Sequence, residues 1–148
     1  MGFDLFGVNS TSKKGRYFRN NVWYWRPLAD YVVQQCCIEP DGWFDNGGHS
    51  VSEEQAREIA ATLDRLLSSG QVKAYEAEYT QRLERLPDEQ CDICLGSGVR
   101  ADEIIRGTCN ACRGQGTVSA WARNYPFSEE NVREFAEFCR YSGGFTIN

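Results

Sequence analysis

Four stretches of the chain repeat apolar residues at every third or fourth position, which is the pattern of amphipathic helices. A fifth stretch, FDLFGV at residues 3–8, has the composition of a short strand. The pattern therefore predicts a mainly helical chain. The four predicted helices run from about Asn21 to Cys37, from Ser52 to Gly70, from about Gln71 to Leu86, and from Ser128 to Gly143.

Capping residues in the sequence predict where three of these helices begin. Asn20 or Asn21 is predicted to cap the first, and Ser52 begins a Ser-x-x-Gln capping box for the second. Ser128 is predicted to cap the last helix, and two glutamates in its first turn lie near the positive end of the helix dipole. The link at Ser69–Gly70 is very short, so the second and third helices are predicted to form an antiparallel hairpin.

The most specific motif is an eight-residue unit, Cys-x-x-Cys-x-Gly-x-Gly, that occurs twice. The first copy places thiols at Cys91 and Cys94, and the second places them at Cys109 and Cys112. Two thiolates separated by two residues can face one point, and two such pairs supply the four soft ligands that tetrahedral zinc prefers. A disulfide pair or two redox dithiols are the alternatives, but the duplication with following glycines favours zinc.

The glycines of each unit predict its backbone path. Gly96 and Gly114 lie where the chain must bend with positive φ, so that backbone N–H groups can point at the sulfurs. Gly98 and Gly116 then lead into extended segments. The residues from 99 to 108 have the length of a hairpin that connects the two units, and the predicted zinc hairpin spans residues 88–118.

These two units resemble the cysteine-rich domain of DnaJ-type chaperones, in which four such units bind two zinc ions. The resemblance covers about 26 residues of the chain, and it implies that the four cysteines are zinc ligands. The J-domain tripeptide and the Gly/Phe-rich linker of that family are missing from this sequence. The chain as a whole looks like small bacterial and phage proteins, a likeness that implies no particular activity.

Composition sets the broad class. A chain of 148 residues with 41% hydrophobic content fits one domain, 1–148, of the α+β, mainly α class, with the four-cysteine zinc hairpin inserted between helices. The formal charge of −5 disfavours nucleic acid as a partner. The odd count of seven cysteines indicates a reducing compartment, and the N-terminus shows no signal peptide or membrane span. A cytoplasmic location is the expectation.

The chain shows no catalytic motif. Its one histidine, His49, lies in a predicted Gly-rich loop without a partner motif. Four cysteine ligands would also leave the zinc ion no open position for water. We therefore expect a protein that is not an enzyme.

The expected function is protein binding by a zinc-stabilised accessory or chaperone-like factor. A rigid zinc hairpin lowers the entropy that is lost when a partner docks. The residues predicted to contact that partner are Arg100, Ile104, Ile105, Arg106 and Trp121.

Two alternative functions remain open at this stage. Arginines of the hairpin, together with Trp121 and Tyr125, could bind a nucleic-acid strand by phosphate contact and base stacking. An aromatic pocket could instead bind a small molecule. Its predicted lining consists of Trp23, Trp25, Tyr31 and Trp43.

Overall fold

The computed structural model describes all 148 residues, from Met1 to Asn148. Helices account for 45% of the chain and strands for 18%, which confirms the predicted α+β, mainly α class. The residues form two compact units. The first comprises residues 1–80 and 125–148, and the second comprises residues 81–124.

The first unit contains a four-stranded antiparallel sheet in the order β2-β1-β8-β3. Its strands are β1 (Gly2–Gly7), β2 (Tyr17–Asn21), β3 (His49–Val51) and β8 (Phe145–Ile147). Along β1 the side chains of Phe3 and Leu5 are buried, whereas that of Phe6 is 48% exposed. One face of the sheet therefore closes the core.

The helices of the chain begin close to the predicted positions. They are α1 (Val22–Gln35), α2 (Glu53–Ser68), α3 (Gln71–Arg85) and α4 (Glu129–Ser142), with short 3-10 turns at Lys13–Gly15 and Trp121–Asn124. The boundary between the two units falls within α3. None of these helices has the length and apolar character needed to span a lipid bilayer.

The three predicted N-caps are confirmed. The side chain of Asn21 accepts a hydrogen bond from the backbone N–H of Tyr24, at 3.1 Å. Ser52 and Ser128 likewise accept from the N–H groups three residues ahead. These bonds satisfy N–H groups that no helical carbonyl can reach, so local sequence determines where each helix begins.

The predicted hairpin of α2 and α3 is wrong, because α2 packs against α4 instead. The first-unit part of α3 turns its aromatic side chains toward Phe127, which contacts Tyr75 at 4.7 Å and Tyr79 at 5.8 Å between ring centroids. A short link constrains the ends of two helices but not the direction of the second one. The buried apolar stripe of α2 therefore packs against α4, the C-terminal helix.

The alternative of an aromatic ligand pocket is contradicted by the burial of its predicted lining. Trp25, Trp43 and Tyr31 are at most 2% exposed and belong to the core of the first unit. Trp25 and Trp43 stack in parallel, and the indole N–H of Trp25 donates to the carbonyl of Trp43 at 2.7 Å. Trp23 is half-buried against Tyr125. These side chains fill space, so they leave no cavity for a ligand.

Candidate metal centre

The second unit is built from two copies of the cysteine motif with related backbone paths. Strand β4 (Glu89–Gln90) precedes the first copy and pairs with β7 (Thr117–Val118), which follows the second. Strand β5 (Val99–Ala101) follows the first copy and pairs with β6 (Arg106–Thr108), which precedes the second. The strands before and after each copy therefore pair with the strands that flank the other copy. The pairing of β5 with β6 confirms the predicted connecting hairpin.

The four cysteines of the two copies lie together. The Sγ atoms of Cys91, Cys94, Cys109 and Cys112 are all within 4.8 Å of one another, and all four residues are buried. The Cys91 and Cys109 sulfurs are 4.0 Å apart, and those of Cys94 and Cys112 are 3.6 Å apart. Four sulfurs bound tetrahedrally at about 2.3 Å from one ion would be about 3.8 Å apart. The cluster could therefore bind a metal ion.

Backbone N–H groups point at two of the sulfurs. The N–H of Gly98 donates to Sγ of Cys94, and that of Gly116 donates to Sγ of Cys112, each at 3.2 Å. Such bonds orient a thiolate ligand and stabilise its negative charge. Gly96 and Gly114 have φ values of +86° and +81°, so they make the predicted bends.

A further feature of the bends was not apparent from the sequence. Leu95 and Arg113, which precede the bending glycines, also have positive φ, at 53° and 54°. This backbone conformation is unfavourable for residues with a Cβ. Both copies adopt it at the same position, which indicates that the turn around the sulfurs imposes it.

The two copies are also joined directly through their backbones. The N–H of Cys91 donates to the carbonyl of Gly116, and the N–H of Cys109 donates to the carbonyl of Gly98, both at 2.9 Å. Each bond connects the first cysteine of one copy to the last glycine of the other. These two equivalent hydrogen bonds therefore fix the position of one pair of cysteines relative to the other.

The surroundings favour the thiolate form of Cys94 and disfavour that of Cys91. Burial raises the pKa of Cys94, but the Gly98 N–H and hydrogen bonds from Cys112 and Cys91 outweigh it and lower this pKa to about 6. At Cys91 the N–H of Cys94 lowers the pKa, but burial together with the Cys94 and Cys112 thiols leaves it raised. The neighbouring thiols thus compete for protons, and a cation that replaces those protons relieves the competition.

The five residues predicted to contact a partner all lie in the second unit, in different settings. Ile104 is 88% exposed and Trp121 is 59% exposed, whereas Ile105 is half-buried. Arg106 is exposed on β6. The guanidinium of Arg100 is held by Asp102 at 2.6 Å and by Asn110 at 2.8 Å, so it is a structural part of the hairpin.

The turn between β5 and β6 is well ordered by one carboxylate. Oδ1 of Asp102 accepts from the N–H groups of Ile104 and Ile105, at 2.9 and 2.8 Å, while Oδ2 accepts from Arg100. The Ile105 N–H and the Arg100 guanidinium hold the pKa of Asp102 below its usual value. A fixed turn thus presents the Ile104 side chain to solvent.

The remaining cysteines and the histidine lie in the first unit. Cys139 is buried, and Cys36 is half-buried at the end of α1. Cys37, which follows Cys36, is exposed and has a φ of 52°. The prediction that His49 lies in a loop is wrong, because it pairs with Ile147 in β3.

Comparison with known proteins gives no relative, because no family model, curated protein or solved structure matches this chain. The support for a metal site therefore comes from the geometry of the four cysteines. The resemblance to the DnaJ cysteine-rich domain, which concerns the two motif copies, stays a prediction.

Proposed function

We propose that this chain is a zinc-stabilised binding protein whose four-cysteine centre holds one zinc ion. The observation that carries the proposal is the convergence of four buried sulfurs within 4.8 Å. Zinc favours a tetrahedral set of four thiolates, whereas magnesium and calcium favour oxygen ligands. Backbone N–H groups already stabilise the charge on two of the sulfurs.

The proposed role of the zinc ion is structural. Four protein ligands complete its coordination, so substrate or water has no position on the metal. The second unit has a hydrophobic cluster made only of the four cysteines with Val118 packed against it. A unit with so small a core gains much of its folding free energy from metal binding. We therefore propose that the protein is not an enzyme and acts in a compartment that keeps thiols reduced.

The surface that the zinc ion would support is the turn between β5 and β6. Asp102 fixes this turn, and Ile104 projects from it with 88% of its surface exposed. A large apolar side chain on a rigid turn can enter a partner's pocket with little loss of conformational entropy. Arg106 on the adjacent strand supplies an exposed positive charge. These features favour a protein partner.

Affinity capture with variants tests this function. Zinc-loaded protein is immobilised and exposed to nuclease-treated lysate, in parallel with Ile104→Asp and with Val8→Asp as a matched control. Val8 is 68% exposed in the first unit, so it carries the same change of an exposed apolar residue. We expect a stoichiometric protein that is retained by the wild type and by Val8→Asp, and lost with Ile104→Asp.

Other results would reject the proposed function. Equal retention by all three proteins would exclude the β5–β6 turn as the binding surface. A parallel capture from lysate without nuclease treatment tests the alternative: recovery of nucleic acid that is lost at high salt, in place of a protein, would favour the electrostatic binding of a phosphate backbone.

A further inference from the structure

One face of the sheet in the first unit is open to solvent. Side chains along a strand alternate between the two faces of a sheet, and Phe3, Leu5 and Phe18 point into the core. Their neighbours along β1 and β2 therefore point to the opposite side, together with the residues that pair with them from β8 and β3. We call this side the outer face, and it consists of Asp4, Phe6, Tyr17, Arg19, Ser50 and Thr146.

Two aromatic rings lie side by side on the outer face. Phe6 and Tyr17 are directly opposite each other in the pairing of β1 with β2, and their ring centroids are 5.3 Å apart. Phe6 is 48% exposed and Tyr17 is 47% exposed. The hydroxyl of Tyr17 donates a hydrogen bond to the carboxylate of Asp4, which restrains the ring on the sheet. The pair therefore presents an ordered aromatic surface to solvent.

The segment that leads into β2 is strongly basic. Four cations lie between positions 13 and 19, and Asp4 is the one carboxylate among the first 21 residues. The rest of the chain has 12 lysines and arginines against 20 aspartates and glutamates. Arg16 immediately precedes Tyr17, and its carbonyl accepts a hydrogen bond from Gly7 at the end of β1. A local excess of positive charge therefore borders the aromatic pair, although the chain as a whole is acidic.

Half of these cations are unpaired. Lys13 and Arg16 are exposed and form no ion pair within the chain. The other two lie near one carboxylate each, as Lys14–Glu137 at 2.6 Å and Arg19–Asp4 at 3.6 Å. The side chain of Arg19 is nevertheless 64% exposed. Four cations against two carboxylates leave this part of the surface with a net positive charge, which favours an anionic ligand.

The combination of cations with exposed rings selects the kind of anion. Lysine and arginine alone bind any phosphate or acidic surface, whereas aromatic rings offer a stacking surface for the bases of a nucleic acid. A duplex keeps its bases stacked on one another, so that only an unpaired strand can place them on protein side chains. Both groups are therefore used together only by single-stranded nucleic acid.

We propose that the outer face binds single-stranded nucleic acid. Bases stack on Phe6 and Tyr17, and the phosphates beside them contact Lys13 and Arg16. The negative charge of the remaining chain confines the nucleic acid to this face. All of these residues belong to the first unit, whereas the metal centre and the β5–β6 turn belong to the second. The proposal is therefore independent of zinc binding and of the protein partner.

Fluorescence anisotropy with a labelled oligothymidine of about 12 nucleotides tests the proposal on the zinc-loaded full chain. We expect saturable binding at low salt, weakened about tenfold by Phe6→Leu and by Tyr17→Leu, because each variant stays apolar but loses the ring. Tyr24→Leu is the matched control. Tyr24 is a 42% exposed aromatic residue on α1, outside the outer face. This control is expected to bind as the wild type does.

A second pair of variants tests the phosphate contact. Lys13→Gln is expected to reduce the slope of log affinity against log salt by about 0.7, the value for one phosphate contact with a single strand. Lys73→Gln is the control, because Lys73 is an exposed lysine on α3 and forms no ion pair. It should keep the wild-type slope. Lys13 lies outside the sheet, so this test holds even where a ring variant weakens the fold.

Several results would overturn the proposal. Undetectable binding of the oligonucleotide to the wild type is one, and tighter binding of a duplex of the same sequence is another. Unchanged affinity in both ring variants would show that the surface recognises charge alone. Weakening by Trp121→Leu in place of Phe6→Leu would assign the binding to the second unit.

Discussion

Gly98 passes so close to the second cysteine unit that a Cβ at position 98 would lie 2.5 Å from the carbonyl oxygen of Gly114. The relation is reciprocal, because a Cβ at Gly116 would lie 2.4 Å from the carbonyl oxygen of Gly96. Both contacts are with backbone, which cannot move aside as a flexible side chain can. The last glycine of each copy is therefore required for the two copies to pack around the sulfurs.

Gly98→Ala is expected to destabilise the second unit by about 2 to 4 kcal/mol, because it adds a clash to a residue whose φ is +75°. The change also displaces the N–H that donates to Cys94, so zinc affinity should fall. Competition with a chromophoric chelator measures that affinity.

Gly70→Ala is the control for the clash, because Gly70 has a similar φ of +79° but no atom within 4 Å of the added Cβ. We expect it to cost about 1 kcal/mol and to leave zinc affinity unchanged. Unchanged affinity in Gly98→Ala as well would show that the close contact is not required.

Removal of the metal should unfold the second unit selectively. The first unit has its own extensive apolar core, whereas the buried cluster of the second consists of the cysteines themselves. Hydrogen exchange of chelator-treated protein, or of Cys91→Ser or Cys112→Ser, should show lost protection at residues 89–118 and retained protection at Phe3, Leu5 and α4. Equal loss of protection in both units would contradict separate cores.

Thiol alkylation should distinguish the seven cysteines, all of which are free. In zinc-loaded protein Cys37 should react first because it is exposed, while Cys139 is buried. Burial raises the pKa of Cys36 to about 11, so its reactive thiolate should be scarce at neutral pH. Mass spectrometry should then show one fast site, and four additional sites after chelation. Fast reaction of the four cluster cysteines before chelation would argue against a bound metal.

The raised pKa of Cys36 also predicts how stability depends on pH. Below pH 9 the thiol is neutral in both the folded and the unfolded chain, so its contribution to stability is fully present. Between about pH 9 and pH 11 the unfolded chain loses this proton first, and the folded state loses about 1 to 2 kcal/mol after allowance for solvent screening.

Denaturant titrations across this pH range check the effect. Cys36→Ala should have a smaller loss of stability with rising pH than the wild type. Cys37→Ala serves as the control, because burial is the main cause of the raised pKa of Cys36 and the exposed Cys37 adds less to it, so this variant should keep most of the wild-type slope. The same slope in Cys36→Ala and the wild type would contradict the assignment.

The predictions from sequence succeeded where the signal is local. The caps at Asn21, Ser52 and Ser128 depend on contacts within one helical turn. The four cysteines belong to two short motifs, whose glycines constrain the backbone around them. The hairpin from β5 to β6 is likewise formed by neighbouring residues.

The features that the sequence did not predict depend on contacts between distant residues. Strand β8 has three residues, and it lies in the sheet because Leu5 pairs with Ile147. A three-residue strand is too short to show an alternating pattern. The packing of α2 on α4 likewise requires elements that are far apart in the chain. Periodicity shows that a face is apolar, but it does not identify what covers that face.

The coordination of the metal tests the central claim, which is that the four cysteines form a closed, structural zinc site. Native mass spectrometry with zinc-edge X-ray absorption of the purified protein measures both stoichiometry and ligand type. We predict one zinc ion per chain with four sulfur ligands at about 2.3 Å. A chain that binds no zinc, or zinc with an oxygen ligand in place of one sulfur, would contradict a closed structural centre.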